Sequence, residues 1–481
     1  MPYNDQTTIS HRFKTVVPFK TIIPIYLPLL LSVLLQHNPI LSYLISWSGS
    51  FFIFYISLFS KVRFISCDVP LKDQIMRPIA LTQIIFAGFM CCTSFFYFMD
   101  HLGYAYLRDL DPYFQSNAQT RLIAKCQRLA LLAHAALVTG MILQIKPFPA
   151  VKYHYKTDQF LLIKLGIGFY LAALLMNITT EFIQFKYTLT SLSISCSAYI
   201  FIHGLIYKKA LSVVFGCTAF GINFLNTTLT GYKESIIINL IILMAIAFPY
   251  YRKTILFLFI PCIYLAIYIL PTFTMVIRSQ SWFGGKTNTV AREQAYQTFF
   301  DAHNDEQIAG NNWDFLTNRF SETGMFTSYV RQVPDQHPYY GLHILENSMY
   351  ALVPKAFWKE KPSTEQIAME RVYQLGIVNR ASAASAKTRP VTDCYLMAGP
   401  MGIFLGLLLY GMVTQWLCNT AERLFGGYQM GCIIIFNSLF QQLWRGNTSE
   451  FLINTIFYSY VLMQFLHFIL RRLKILQTGH L

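Results

Sequence analysis

The chain has 481 residues, of which 54% are hydrophobic, 16% aromatic and only 13% charged, and its formal net charge is +15. A soluble core cannot bury so large an apolar share, so the expected solvent is a bilayer, and the length suits one polytopic bundle rather than separate soluble domains. The charge is not that of a nucleic-acid binder, because the basic residues fall in short clusters between apolar runs instead of along one polar face. The ten cysteines lie mostly inside apolar runs without C-x-x-C spacing, which argues against a disulfide framework and a structural zinc site.

The first apolar run, Thr21 to Leu35, follows a basic segment and is soon followed by a second, so the start reads as a retained signal anchor. Further runs near 39–60, 78–99, 129–145, 160–177, 188–206, 211–226, 236–250, 254–277, 396–417, 428–443 and 451–470 predict an all-α protein of about twelve transmembrane helices. Alternate connections are all basic: Arg12, Lys14 and Lys20; Lys61, Arg63, Lys72 and Arg77; Lys146, Lys152 and Lys156; Lys208 and Lys209; Arg252 and Lys253; Arg423; and Arg471, Arg472 and Lys474. The positive-inside rule then predicts a multi-pass protein with both termini cytoplasmic, its other connections facing outward, which in a bacterium means the periplasm and an inner-membrane location. Its predicted parts are helices one to nine in 1–277, a folded periplasmic loop in 278–395, and the last three helices with a tail in 396–481. No repeat relates the two halves.

The outer segment 278–395 carries twelve basic and twelve acidic residues and aromatics throughout, including Trp282, Trp313, Phe326 and Trp358. That composition predicts a folded, helix-containing cap rather than disorder. Leu342, Leu345, Met349, Leu352 and Val353 share one helical face, Pro354 would end the helix, and Phe357-Trp358 suits a membrane interface. Such a helix either embeds in the interface or packs on the bundle.

Lys233 beside Glu234, Arg278 and Arg445 all lie where apolar helix meets the outer surface. Ionisable groups at that depth cost a few kcal/mol unless paired, and the Arg fork holds two phosphate oxygens at once, so a lipid diphosphate is a fitting partner. The alternative is that each simply snorkels or pairs locally. In NRFSETGMFTSYV, Arg319 and Glu322 would share a face if the string is helical; Glu234, Asp393, His337 and His343 are other candidate proton acceptors. No HExxH, DxD, Walker or GxSxG motif is present, so metalloprotease, metal-dependent nucleotide-sugar transferase, ATPase and serine hydrolase lack support.

From TGYKESIII (230–238) through Arg278, NRFSETGMFTSYV, PKAFWKEKP (354–362) and TDCYLMAGPMGIFLG (392–406) to WRGNTSE (444–450), the chain resembles the Wzy-type oligosaccharide repeat-unit polymerases, particularly the enterobacterial common antigen branch. Lys233 stands where Arg is more usual, and the first half matches only in span number. The resemblance implies metal-independent glycosyl transfer without a cofactor: a growing glycan on undecaprenyl diphosphate passes to a lipid-linked oligosaccharide repeat unit at the periplasmic face. It implies Arg278, Arg319 and Arg445 as diphosphate contacts with Lys233 assisting, Glu322 as a base or an orienting partner, and Lys233, Glu234, His337 and Trp358 in substrate binding, with a flippase and a chain-length regulator as partners. A lipid-linked oligosaccharide flippase or other transporter and an O-antigen ligase-like glycosyltransferase are the competing expectations.

Overall fold

The computed structural model describes residues 19–59, 70–104, 117–145, 151–155, 161–176, 183–229, 233–278, 280, 288–300, 305–353, 358, 360–381 and 387–478. Some side chains within these helices, those of Lys233, Glu234 and Arg278 among them, lie outside the description. The predicted all-α class holds. Among the described residues seven helices are long and apolar enough to cross a membrane: Pro39–Phe59, Pro78–His101, Ala118–Gln144, Phe185–Ile206, Ile238–Leu258, Pro390–Leu424 and Ser449–Arg472. Four expected runs form shorter apolar helices, Ile22–Leu34, Leu161–Leu175, Ala210–Leu225 and Tyr428–Leu439.

In chain order the helices are α1 (Phe19–Leu34), α2 (Pro39–Phe54), α3 (Pro78–Ala87), α4 (Ser94–His101), α5 (Asn117–Gln144), α6 (Leu161–Leu175), α7 (Ile183–Ile206), α8 (Ala210–Leu229) and α9 (Lys233–Arg278). The expected runs 236–250 and 254–277 are two limbs of α9. No glycine or turn former separates them, and the backbone bends at Tyr251 (φ −119°, ψ 37°), two residues after Pro249. The polar segment follows as α10 (Asn288–Phe300), α11 (Asp305–Asp314), a π-helical turn Phe315–Arg319, α12 (Thr323–Gln332), α13 (His343–Leu352) and α14 (Thr364–Gln374). α15 (Pro390–Leu424), the π-helix Tyr428–Phe436, α16 (Asn437–Leu439), α17 (Gln442–Arg445) and α18 (Ser449–Arg472) complete the bundle.

α5 and α15 form its axis. A Cβ on Gly140 would stand 2.0 Å from Leu408 O, and one on Gly411 2.1 Å from Leu137 O. Lipid offers no hydrophobic drive between helices, so backbone-to-backbone approach over small residues supplies the packing. Gly140→Leu is therefore expected to abolish the monodisperse peak in size-exclusion chromatography. Gly168→Leu, where a Cβ meets nothing within 4 Å, should retain it.

α15 begins at Pro390, a residue suited to the first helical position and six residues ahead of the expected apolar run at 396. It breaks at Ala398 and Gly399, the latter at φ +60°, ψ −140°, a conformation open in practice only to glycine. The freed carbonyls of Leu396 and Met397 accept from the backbone N–H groups of Tyr340 and Gly341 at 2.8 and 3.1 Å. The break thus fastens the polar segment to a span.

Basic connections meet at the opposite end. Lys152 N donates to Arg423 O at 3.1 Å, and β1 (Tyr153–Tyr155) pairs antiparallel with β2 (Leu476–Thr478). Arg77 is more than a topology signal: its Nε and Nη2 donate to the two oxygens of buried Glu422 at 3.0 and 3.1 Å.

The predicted stripe on α13 does not face the bundle. Leu342, Leu345 and Met349 are 67, 39 and 60% exposed, while Ile344, Ser348 and Ala351 are buried where α13 packs along α18. Its C-terminal carbonyls are closed by side chains: Ala351 O accepts from Lys361 Nζ and Asn454 Nδ2, Leu352 O from Tyr458 Oη, and Val353 O from Lys361 Nζ, all at 2.6–2.8 Å. Asn454 and Tyr458 lie roughly 8–13 Å along α18 from its start at 1.5 Å per residue. Water would satisfy such carbonyls unaided; side-chain partners are what a helix end requires where water is scarce.

Candidate functional site

Three elements converge where the polar segment joins the spans: the start of α12, the start of α15, and the turn before α18. The π-helical turn ends at Arg319, the chain leaves helix over Phe320 and Ser321, and α12 begins at Thr323 with Glu322 at its N-cap. Glu322 is buried, and its Oε2 lies 3.9 Å from Arg389 Nε. Burial raises its carboxyl above the usual value, and the Arg389 charge only partly offsets this. Arg389 directly precedes Pro390, so its backbone is extended and its side chain turns back across the junction. Its Nη1 donates to Gly446 O at 2.9 Å, and its guanidinium lies 5.1 Å from the Phe89 ring centre. Arg389 therefore bridges Glu322 and the Arg445-Gly446 turn.

Beside this corner is a buried ionic cluster. Arg371, on α14 behind a Ser363–Gln366 capping box, is 4% exposed, and Asp393 and Glu450 are inaccessible. Arg371 Nη2 donates to Asp393 Oδ1 at 2.9 Å, Glu450 Oε2 at 2.9 Å and Thr388 Oγ1 at 3.1 Å, and Nη1 to Glu450 Oε1. Asp393 Oδ2 accepts from Ser449 N at 2.7 Å, capping α18. One guanidinium thus pins three helices through two carboxylates. Tyr329 Oη is buried nearby with no hydrogen-bond partner among the described residues, and burial raises its phenol.

The predicted residues fall unevenly around this corner. Arg319 and Glu322 do not share one helical face, because the widened π turn and the non-helical link place them on successive elements; Arg319 is exposed and Glu322 buried. Arg445 closes α17, half-buried, next to the Gly446 carbonyl that receives Arg389. Asp393 is committed on both oxygens to Arg371 and Ser449, so it does not stand ready as a proton acceptor. His343, another candidate acceptor, pairs with exposed Glu346 through Nδ1 at 2.9 Å. His337 sits in the turn after α12, its N–H bonded to Gln332 O at 3.0 Å. Trp358 is 38% exposed, edge-on to Tyr350 at 6.3 Å, beside the α13 stripe.

Lys233 and Glu234 begin α9 and Arg278 ends it, with side chains outside the described residues. The bend at Tyr251 lies beside Lys72 of the basic end. The second limb reaches the polar segment, where Asn311 Nδ2 donates to Thr272 Oγ1 at 3.4 Å.

Arg371, Arg389 and Glu450 were not legible as site residues. An Arg-Pro step opening an apolar helix and an acid in the first turn after Thr448 are signals for the latter two; Arg371 carries none. Among the described residues Cys418, Glu422 and Cys432 bring potential metal-ligand atoms within 4.8 Å of one another. Both Glu422 oxygens are occupied by Arg77, so this group is an ion pair lined by thiols.

A protein-family model described as "Domain of unknown function (DUF8712)" matches residues 27–478. No curated protein and no solved structure matches the chain.

Proposed function

We propose that this chain, which belongs to the DUF8712 family, is a polysaccharide polymerase that transfers a growing glycan from undecaprenyl diphosphate to a lipid-linked oligosaccharide repeat unit at the periplasmic face of the bacterial inner membrane. The observation that carries this reading is Glu322, a buried carboxyl held above its usual pKa beside Arg389, at the junction of the polar segment and the spans. A base tuned upward toward neutral pH suits removal of a sugar hydroxyl proton.

In the reaction, the acceptor hydroxyl oxygen attacks the donor's anomeric carbon while the carbon–oxygen bond to diphosphate breaks. The hydroxyl proton passes to Glu322 and then to water, and the diphosphate leaves as an anion held by guanidinium groups. Arg389 and Arg445 flank the turn and Arg319 closes the π-helix before Glu322; Arg278 is assigned to the same diphosphate contact, with Lys233 assisting. Glu234, His337 and Trp358 serve substrate binding. The exposed α13 stripe lies in the membrane interface and keeps the loop near lipid headgroups. Both limbs of α9 and the four shorter apolar helices complete twelve crossings, with both termini in the cytoplasm, and a flippase and a chain-length regulator work alongside.

The interrupted α15 favours one competitor, since broken helices line transporter sites. Its freed carbonyls are already occupied by Tyr340 and Gly341, which supports a fastening role instead. The test is reconstitution in liposomes with a defined undecaprenyl-diphosphate oligosaccharide and no nucleotide sugar. A product ladder spaced by one repeat unit is expected; movement of labelled lipid between leaflets without a ladder would establish transport. Addition of lipid A core as acceptor separates out a ligase.

A further inference from the structure

Another cationic site lies at the same end of the bundle and away from Glu322. The first turns of α5 carry Arg121, Lys125 and Arg128, whose spacings of four and three put them on one face, and the first turn holds no acidic residue. Like charges three and four residues apart on a helix repel, so the arrangement is unfavourable without an anion. Among the described residues none of the three lies within ion-pair distance of a carboxylate. Arg128 is instead anchored by Nη1 donating to Ser42 Oγ at 2.8 Å.

With Gln36, His37 and Leu122 these side chains line an open cleft of about 490 Å³. The flanking leucines of α1, α2 and the turn between them, Leu34, Leu35, Leu41 and Leu44, are 38–65% exposed, a surface suited to acyl or polyprenyl chains. A basic cleft bordered by lipid-facing leucines matches an amphiphile with an anionic head.

We infer that this cleft binds the phosphate-bearing headgroup of an anionic lipid. The chemistry is shared by phospholipid and polyprenyl diphosphate, and it stands apart from the glycosyl-transfer reading. Arg331, near the far end of α12, donates to Gln119 of α5, so the cleft is joined to the helix that begins after Glu322, roughly 13 Å away along its axis at 1.5 Å per residue.

The test is native mass spectrometry of the full-length protein released from micelles after addition of phosphatidylglycerol, undecaprenyl diphosphate or phosphatidylcholine. Wild type should retain one or both anionic lipids at least tenfold better than phosphatidylcholine, and inorganic pyrophosphate should displace them. The anionic lipid retained at the lower concentration is the source. Arg121→Gln with Lys125→Gln should remove that preference, while Arg380→Gln, on an exposed surface of the polar segment, should keep it. Retention of phosphatidylcholine equal to the anionic lipids, or undiminished retention in the double variant, overturns the site; the pyrophosphate competition on wild type decides the matter if that variant fails to fold.

Discussion

Replacing Glu322 by glutamine is expected to lower polymer formation by at least about a hundredfold, the lower range for loss of a positioned general base, with the protein still present in the membrane. A ladder within threefold of wild type would remove Glu322 from the chemistry. The pH profile carries the same information. A base acts when deprotonated, and burial holds this carboxyl above its ordinary value of 4.5, so activity should fall as pH drops through that raised value. Arg389→Met removes the charge that opposes the shift, and the acid limb should move to still higher pH. For stability, a raised folded-state pKa means the folded chain holds the proton more tightly than the unfolded one. The favourable contribution is complete below the ordinary value and is lost as pH rises through the raised one. Glu322→Gln, which mimics the neutral acid, should therefore be most stabilising relative to wild type near neutral pH and nearly without effect in acid. Melting temperature followed across pH checks this.

Arg371→Met should cost about 3–5 kcal/mol, the range for a buried pair that loses one partner, because Asp393 and Glu450 are then left buried without their cation. The loss should appear as a lower midpoint of unfolding in detergent, together with proteolysis near α14, which the guanidinium ties to α15 and α18. Converting Asp393 to Asn and Glu450 to Gln in the same chain should restore most of the stability, since no uncompensated charge remains. A loss below about 1 kcal/mol for Arg371→Met, as for a surface bridge, would contradict a pinning role.

Most of the bundle was readable because its signal is local. Apolar runs of span length predicted nearly every apolar helix among the described residues. The two limbs of α9 were expected as separate helices, and the non-helical backbone at Tyr251 divides them there. The errors have physical causes. The α13 stripe was correctly placed on one face, but hydropathy says nothing of whether that face meets protein or lipid; the small residues Ser348 and Ala351 take the packing side. Glu322 was singled out, while its expected neighbour Arg319 gave way to Arg389, 67 residues further along. Contacts between such distant positions arise from how helices close on one another, and spacing along one chain does not encode them. Arg371 is the extreme case: on α14 it looks like an ordinary surface residue, and only Glu450 and Asp393 explain its burial.

Block transfer at the Glu322 corner fixes the stoichiometry of undecaprenyl diphosphate released by purified protein in liposomes supplied with one defined lipid-linked repeat unit. Polymerisation predicts one undecaprenyl diphosphate freed for every glycosidic bond formed, with both falling together in Glu322→Gln; lipid crossing the bilayer with no diphosphate released would contradict it.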